Sequence, residues 1–238
     1  QRQMCIRDSL YRVIGVFDNK VKLIKYDYLN SSILGLESVS DVSTTSEFSP
    51  YYKGSLNTVS TYNWSAVNNN SWSDSSLQVA LNNNYLNNLG SEWSNKISET
   101  NWYTGGVSYD IVYQGVVNSI YSYELGANKV DNIFRGKIGL MYVSEYGYAV
   151  SPENWNTTMQ NMNNDNNRNN NWLYMGGYEW LLTVYPEESN YAFFISKAGA
   201  VGGFDVGRNR AVRPTFYLNE SVRYISGGGS LANPYRID

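Results

Sequence analysis

The chain has 238 residues, a formal net charge of −3 and only 16% charged residues, so it carries no basic stripe to neutralise phosphates, which argues against nucleic acid as a partner. Histidine is absent and cysteine occurs once, which excludes Ser-His-Asp and Cys-His catalysis, His-ligated zinc, Cys-clustered metals and internal disulfides together. What remains is 15% aromatic, with 7 Trp, 22 Tyr and 7 Phe, and rich in Asn, Ser and Gly, a mixture suited to adaptable polar and stacking contacts.

Residues 1–9 contain no Asn, no Tyr and no alternating pattern. The run Met4-Cys5-Ile6-Arg7-Asp8-Ser9 resembles translated sequencing-library DNA, the transposon end ATG-TGT-ATA-AGA-GAC-AG read in this frame. Residues 1–9 therefore read as an assembly artefact, or else as a short, basic, disordered tail. On the first reading Cys5 is foreign to the protein, and an export signal or anchor would have preceded the cut. From Leu10 onward no 18-residue apolar run occurs, so no membrane-spanning segment is expected within residues 10–238.

Leu10 to Phe17 is β-branched and aromatic, Asp18-Asn19 tolerates positive φ, and Lys20 to Asp27 alternates polar with apolar residues; this predicts a hairpin. Tyr28 to Asn70 is Ser/Thr/Asn-rich and reads as a long surface loop with short strands and aromatic anchors at Tyr51, Tyr52, Tyr62 and Trp64. Leu77, Ala80, Leu81, Tyr85, Leu86 and Leu89 then recur at helical spacing between a capping Ser/Asp cluster and Gly90, predicting a helix from about Ser75 to Leu89. That helix is expected to pack Leu77, Leu81 and Leu86 on a sheet containing Ile138, Leu140, Trp180, Leu182 and Phe216. Ser91 to Glu99, with Trp93 and Ile97 one turn apart, predicts a second, shorter helix. Tyr109 to Leu125 has no clean period, and its class stays open.

Lys137 to Val143 reads as a short apolar strand. Asn161 to Asn171 has no apolar residue except Met162 and is expected to be a solvated loop. Tyr178–Tyr185, Tyr191–Ser196, Ala211–Leu218 and Val222–Ile225 read as short strands of one antiparallel sheet. No period of 20–50 residues repeats, which argues against a solenoid or propeller.

Within these elements Arg213-Pro214 interrupts an apolar strand, where proline tolerates only an edge or first position and the guanidinium must find carboxylate or carbonyl partners; a structural anchor is favoured over a ligand contact. Trp180 is expected in the core. Gly227-Gly228-Gly229 reads as a flexible turn, because a phosphate cradle would need a following helix and a lysine. With histidine absent, acid–base chemistry falls to carboxyl pairs drawn from Glu145, Glu153, Asp165, Asp205, Glu187 and Glu188, of which glycoside hydrolysis is the concrete form. Asn163 to Asn167 offers four amides and a single acid, too few carboxylates for calcium, so no metal and no cofactor is expected.

The blocks Leu10-Tyr-Arg-Val-Ile-Gly-Val16, Gly136-Lys-Ile-Gly-Leu-Met-Tyr-Val-Ser-Glu-Tyr-Gly-Tyr-Ala149, Asn171-Trp-Leu-Tyr174, Glu179-Trp-Leu-Leu-Thr183, Val212-Arg-Pro-Thr-Phe-Tyr-Leu218 and Gly227-Gly-Gly-Ser-Leu-Ala-Asn-Pro-Tyr-Arg-Ile237 occur in that order. As a set they resemble an uncharacterised family of C-terminal surface domains of gut Firmicutes, often placed behind a prepilin-type N-terminal helix. The core of that family is similar to C-type-lectin-like and formylglycine-generating-enzyme-like folds. The resemblance implies an α+β, C-type-lectin-like single domain over residues 10–238, an antiparallel sheet with one or two helices and long loops. It carries over no catalytic residues, and the cysteine pair of the oxidase branch is missing here.

The function expected on this basis is an extracellular, non-enzymatic binding module, adhesin-like or lectin-like, on a bacterial surface. Its ligand would be a glycan or a protein, and it would meet a membrane only through a preceding anchor. The alternatives are a structural head domain of a pilin-like filament and a glycosidase using paired carboxylates. The expected ligand face combines the Asn161–Asn171 loop, the Gly199–Arg210 loop and the aromatics Trp155, Trp172 and Tyr174. Within it Arg208 and Arg210 flank Asn209 and, if on a strand, point the same way.

Overall fold

The computed structural model describes residues 3–6, 9–30, 34, 53–54 and 59–238; the anchors Tyr51 and Tyr52 lie outside them. In chain order the described strands begin with β1 (Gln3–Ile6), β2 (Ser9–Phe17), β3 (Lys20–Lys25), β4 (Tyr62–Asn63), β5 (Thr100–Tyr103), β6 (Ile133–Gly136) and β7 (Ile138–Gly139). They continue with β8 (Glu179–Val184), β9 (Tyr191–Ile195), β10 (Val201–Asp205), β11 (Asn209–Arg210), β12 (Thr215–Tyr217), β13 (Tyr224–Ser226) and β14 (Arg236–Ile237). The α-helices described over residues 59–238 are α1 (Ser76–Ala80), α2 (Leu86–Leu89), α3 (Ser91–Ser94), α4 (Tyr109–Gln114), α5 (Val117–Glu124), α6 (Val143–Tyr148) and α7 (Asp165–Asn170). The architecture is α+β, with mostly antiparallel sheets and a few short helices.

The predicted hairpin forms. Asp18 and Asn19 both take positive φ, 48° and 61°, a turn geometry whose twist matches the strands it joins, and β2 pairs antiparallel with β3. β1 pairs with β2 in turn, with Met4 and Ile6 buried. On its other side β1 exchanges backbone hydrogen bonds with Gly229 and Tyr235. Residues 3–6 thus form a strand with backbone partners on both sides and apolar cover for Met4 and Ile6.

The sheet order β1-β2-β3-β12-β7 corrects the expectation of one C-terminal antiparallel sheet. β12 leaves its sequence neighbours and inserts between β3 and β7, while β10-β9-β8 form a separate three-stranded sheet. Pro214, which cannot donate to a ladder, sits just before β12 starts. Arg213 beside it is buried and grips Glu179 of β8 with both Nε and Nη2, at 2.8 and 2.9 Å. The pair ties the two sheets together, as expected of a structural arginine, and Trp180 is buried in the core.

The helix predicted over residues 75–89 is present in three pieces: α1, one turn of π-helix (Leu81–Tyr85) and α2. The Ser75 side chain accepts from Gln78 N, and Gly90 ends the run with φ 81°. Leu77 and Leu81 are buried and Leu86 partly so, in one cluster with Ile138, Leu140, Trp180, Leu182 and Phe216, as the spacing predicts. Asn82, in the π-turn, docks the helix onto β7. Its Oδ1 accepts from Lys137 N and Ile138 N, both at 3.0 Å, and its Nδ2 donates to Ile138 O at 2.9 Å. Asn82→Ala should cost about 1–2 kcal/mol by stripping these partners from the strand backbone, read as a lower urea midpoint with an unchanged m-value.

Other expectations are revised. The second helix stops at Ser94, and Ile97 instead forms a bridge to Leu218. Tyr109–Leu125 resolves into α4 and α5. The strand predicted over Lys137–Val143 keeps only two ladder residues, because the chain turns into α6, where the Glu145 side chain accepts from Tyr142 N at 2.9 Å and fixes the first helical turn. The Asn tract is solvated on most of its residues, as expected, but it is not an irregular loop. It forms a 3-10 turn (Gln160–Asn163) and α7, capped by Asn164, whose side chain accepts from Asn166 N and Asn167 N. Two of its asparagines, Asn167 and Asn171, turn inward, and Asn167 donates to Asn161 O. Buried Asn171 donates to Tyr146 O at 2.9 Å and accepts from Leu173 N and Tyr174 N at 2.9 and 3.2 Å.

Candidate functional site

The register of β9 with β10 sets Phe194 opposite Gly202 and Ala192 opposite Phe204, and β8 sets Trp180 opposite Phe194. Side chains alternate along strands, so Trp180, Phe194 and Phe204 share one face. Gly202 places no side chain over Phe194, and Phe204 meets it edge-on at 6.1 Å, with Tyr178 at 5.8 Å on another side.

Arg210 of β11 lies over this group. Its guanidinium carbon is 4.8 Å from the Phe194 ring centre, 4.9 Å from Tyr178, 5.3 Å from Phe204 and 5.7 Å from Trp180, a half-buried cation–π arrangement. Arg208 lies 5.8 Å over Phe204. Arg208 and Arg210 thus both reach the Phe204 ring, with Arg208 in the turn before β11 rather than on the strand. Asn209 between them belongs to the two-stranded ladder with Asn63, and its Oδ1 is buried without a hydrogen-bond partner.

Beside them opens a cleft of about 480 Å³ lined by Tyr191, Phe204, Asp205, Gly207 and Arg208. Phe204 is 39% exposed and stacks on Tyr191 at 6.4 Å with 16° between the rings. Asp205 is held in place: Oδ1 accepts from Gly207 N at 2.7 Å and Oδ2 from Asn190 Nδ2 at 3.2 Å. The cleft therefore offers a flat aromatic platform with a fixed carboxylate and an exposed guanidinium at its rim.

The other expected site residues lie elsewhere. Tyr174 is 1% exposed and donates its hydroxyl to Lys197 O. Trp172 is half-buried, with its carbonyl accepting from Arg12. Trp155 is half-buried, packed edge-on against Tyr148 at 4.9 Å and donating to Val150 O. The Asn tract packs on the turn between β9 and β10, where Arg168 donates to Ala198 O, whereas Arg208 follows the far end of β10. The expected ligand face is brought together only in part: the Gly199 end of the Gly199–Arg210 segment meets the Asn tract, β10 carries Arg208 to its other end, Tyr174 is enclosed, and of the tract's amides Asn167 and Asn171 turn inward.

Two further groups, around Glu124 and Lys22, are built from residues far apart in the sequence. Both oxygens of Glu124 accept from the first amides of α6, Val143 N at 3.0 Å and Ser144 N at 2.9 Å, and the Thr183 hydroxyl donates to it as well. Lys22, fully buried, donates to Glu145 Oε1 at 2.5 Å. Its ammonium lies 4.8–5.2 Å from the ring centres of Trp102, Tyr142 and Tyr217. Burial pushes Glu124 up to about 7, against the pull of its Ser144 and Thr183 hydrogen bonds; burial pulls Lys22 down, against the pull of Glu145. Neither had a local signal, since Glu124 sits in the segment without period and Lys22 reads as the polar position of an alternating strand. Of the remaining acids, Glu153 is exposed and held below its ordinary range by the Ser151 hydroxyl, and Asp165 pairs with Arg168.

The fold and cleft define a class, an α+β protein that presents an aromatic, arginine-rimmed cleft on the face of a small sheet. Comparison with family models, with curated proteins and with solved structures found no match for this chain.

Proposed function

We propose that this protein is an extracellular, non-enzymatic binding module of C-type-lectin-like build, displayed on a bacterial surface, and that it takes a glycan in the cleft at Tyr191, Phe204 and Arg208. The observation that carries the reading is Phe204: a large aromatic ring left substantially exposed on a strand, backed by Tyr191 and flanked by Asp205 and Arg208. A sugar ring lays its C–H face on such a platform, while its hydroxyls donate to the carboxylate and accept from the guanidinium. Surface display rests on the resemblance of the sequence blocks. The non-enzymatic part is supported by how the buried carboxyls are used. Glu124, Glu145 and Glu179 each accept from backbone amides, a buried cation or both.

A glycan array with the full chain and with Phe204→Ala and Arg208→Ala tests the reading. Retention of a defined glycan set, weakened about tenfold or more in both variants with unchanged circular dichroism, is the expected result, each lost contact being worth about 1.4 kcal/mol or more. Absence of any retained glycan, or variants that bind like the parent, would sink it. One observation favours a filament head as the second reading. Tyr224, Ile225 and Leu231 are exposed near an apolar cleft of about 670 Å³ lined by Met4, Val21, Val222 and Tyr235, a surface of the kind that copies of a chain share.

A further inference from the structure

A further cavity, of about 450 Å³, takes no part in the function proposed above. The five-stranded sheet supplies one of its walls. Register pairs Phe17 with Lys20 across the β2–β3 turn and Tyr217 of β12 with Lys22. Lys20 and Lys22 stand two residues apart on β3, so all four side chains share a face. Lys22 is enclosed with Glu145, whereas Phe17, Lys20 and Tyr217 line the cavity. Tyr103 of β5, Tyr142 before α6 and Lys129 after α5 line it as well.

The walls are flat rings held in place. The Tyr142 hydroxyl is pinned to the Tyr103 backbone, accepting from its N–H at 2.8 Å and donating to its carbonyl at 3.1 Å. The enclosed Lys22 ammonium lies 4.8 Å from the Tyr142 ring centre and 5.2 Å from that of Tyr217, and Phe17 meets Tyr217 edge-on at 6.2 Å. Walls of this kind favour an aromatic guest, which meets them face to edge without ordering any mobile side chain.

The polar groups of the lining are of the opposite kind to those of the core, because they are left open. Lys20 and Lys129 are half-buried, the Lys129 ammonium lying 5.1 Å from the Tyr103 ring centre, and neither forms an ion pair with a described carboxylate. The Tyr217 hydroxyl makes no hydrogen bond to a described residue. Burial, with Glu145 and Asp18 adding to it, pushes that phenol up, so it keeps its proton to donate. Asp18 is the only acid of the lining among the described residues.

We propose that this cavity binds a small aromatic carboxylate, its ring among Tyr103, Tyr142 and Tyr217 and its carboxylate on Lys20, Lys129 and the Tyr217 hydroxyl. Ammonium and hydroxyl donors to a carboxylate are charge-assisted and strong, and the volume lies within the range of small-ligand sites, about 300–1,000 Å³. A dianion fits less well, because Asp18 repels its second charge. The proposal stands independently of the glycan cleft, which belongs to the β10-β9-β8 sheet.

Isothermal titration of the full chain at constant ionic strength tests it with four probes. These are sodium phenylacetate, phenylacetamide, which keeps the ring and loses the charge, sodium acetate, which keeps the charge and loses the ring, and phenyl phosphate. Phenylacetate should bind saturably and the other three more weakly, acetate and phenylacetamide by about tenfold or more. Lys129→Met should weaken phenylacetate by about tenfold, as removing a charge-assisted contact does. Tyr217→Phe, which keeps the ring and loses only the hydroxyl, should weaken it severalfold. Arg236→Gln, which removes an exposed positive charge of β14 outside this lining, should leave it unchanged. Failure of phenylacetate to bind, any of the three other probes binding as tightly, or either cavity variant binding like the parent would overturn the site. An equal loss in Arg236→Gln would also overturn it, by showing attraction to surface charge at large.

Discussion

Lys22→Met should destabilise the protein by about 3–5 kcal/mol, because it leaves the Glu145 carboxylate buried without its counter-charge. The wild-type ammonium is completely enclosed, bonded to Glu145 Oε1 at 2.5 Å and surrounded by three aromatic rings. Methionine fills nearly the same volume against those rings, so the loss reports charge rather than packing. Adding Glu145→Gln should recover part of it, since the amide oxygen still accepts from Tyr142 N while the stranded charge is gone. Urea unfolding of the two single variants and the double variant gives the coupling directly. A Lys22→Met variant within about 1 kcal/mol of wild type, at the ceiling for an exposed pair, would show that this ion pair does not hold β3 to α6.

Stability should fall by about 2–3 kcal/mol between pH 5 and pH 8 through Glu124 alone, a magnitude that follows from its displaced titration. Burial raises its folded-state value from the ordinary 4.5 to about 7, so the sign is that of a group which holds its proton more tightly when folded. Below the unfolded value both states are protonated and the contribution is fully present. As pH rises through the window from 4.5 to 7, the unfolded chain ionises freely and the folded one does not, and the contribution is lost. Glu124→Gln, which keeps one acceptor oxygen for Val143 N or Ser144 N, should flatten this slope. Urea midpoints at pH 5 and pH 8 for both proteins check it; an unchanged slope in the variant would assign the dependence to another group.

The two predictions rest on residues of unequal visibility. Glu145 was visible as an acid at the end of an apolar run, but Lys22 and Glu124 became its neighbours only through pairings that cross 123 and 20 residues of chain. No local pattern encodes such a meeting. The same holds for the cleft. Arg208 and Arg210 both reach Phe204, Arg208 from the turn and Arg210 from β11, and Tyr191 enters through the antiparallel register of β9 with β10. Trp155, Trp172 and Tyr174 stand out by residue type alone, and residue type does not say which aromatic ring a core will consume.

By itself the sequence determined what short-range physics controls. Asp18-Asn19 dictates the turn between β2 and β3, the spacing of Leu77 to Leu89 dictates an amphipathic helix, and the Arg213-Pro214 pair announces both an interrupted ladder and a need for an acid. Tertiary contacts decide that β12 inserts between β3 and β7, that the Asn tract folds into α7 instead of a loop, and that the tract meets the Gly199 end of the Gly199–Arg210 segment while Arg208 lies at the other end of β10. Turn and period signals act over a few residues and are written in them. Strand partnership and the burial of polar groups are settled by which distant backbone and side-chain groups can satisfy one another, a competition that the whole chain takes part in.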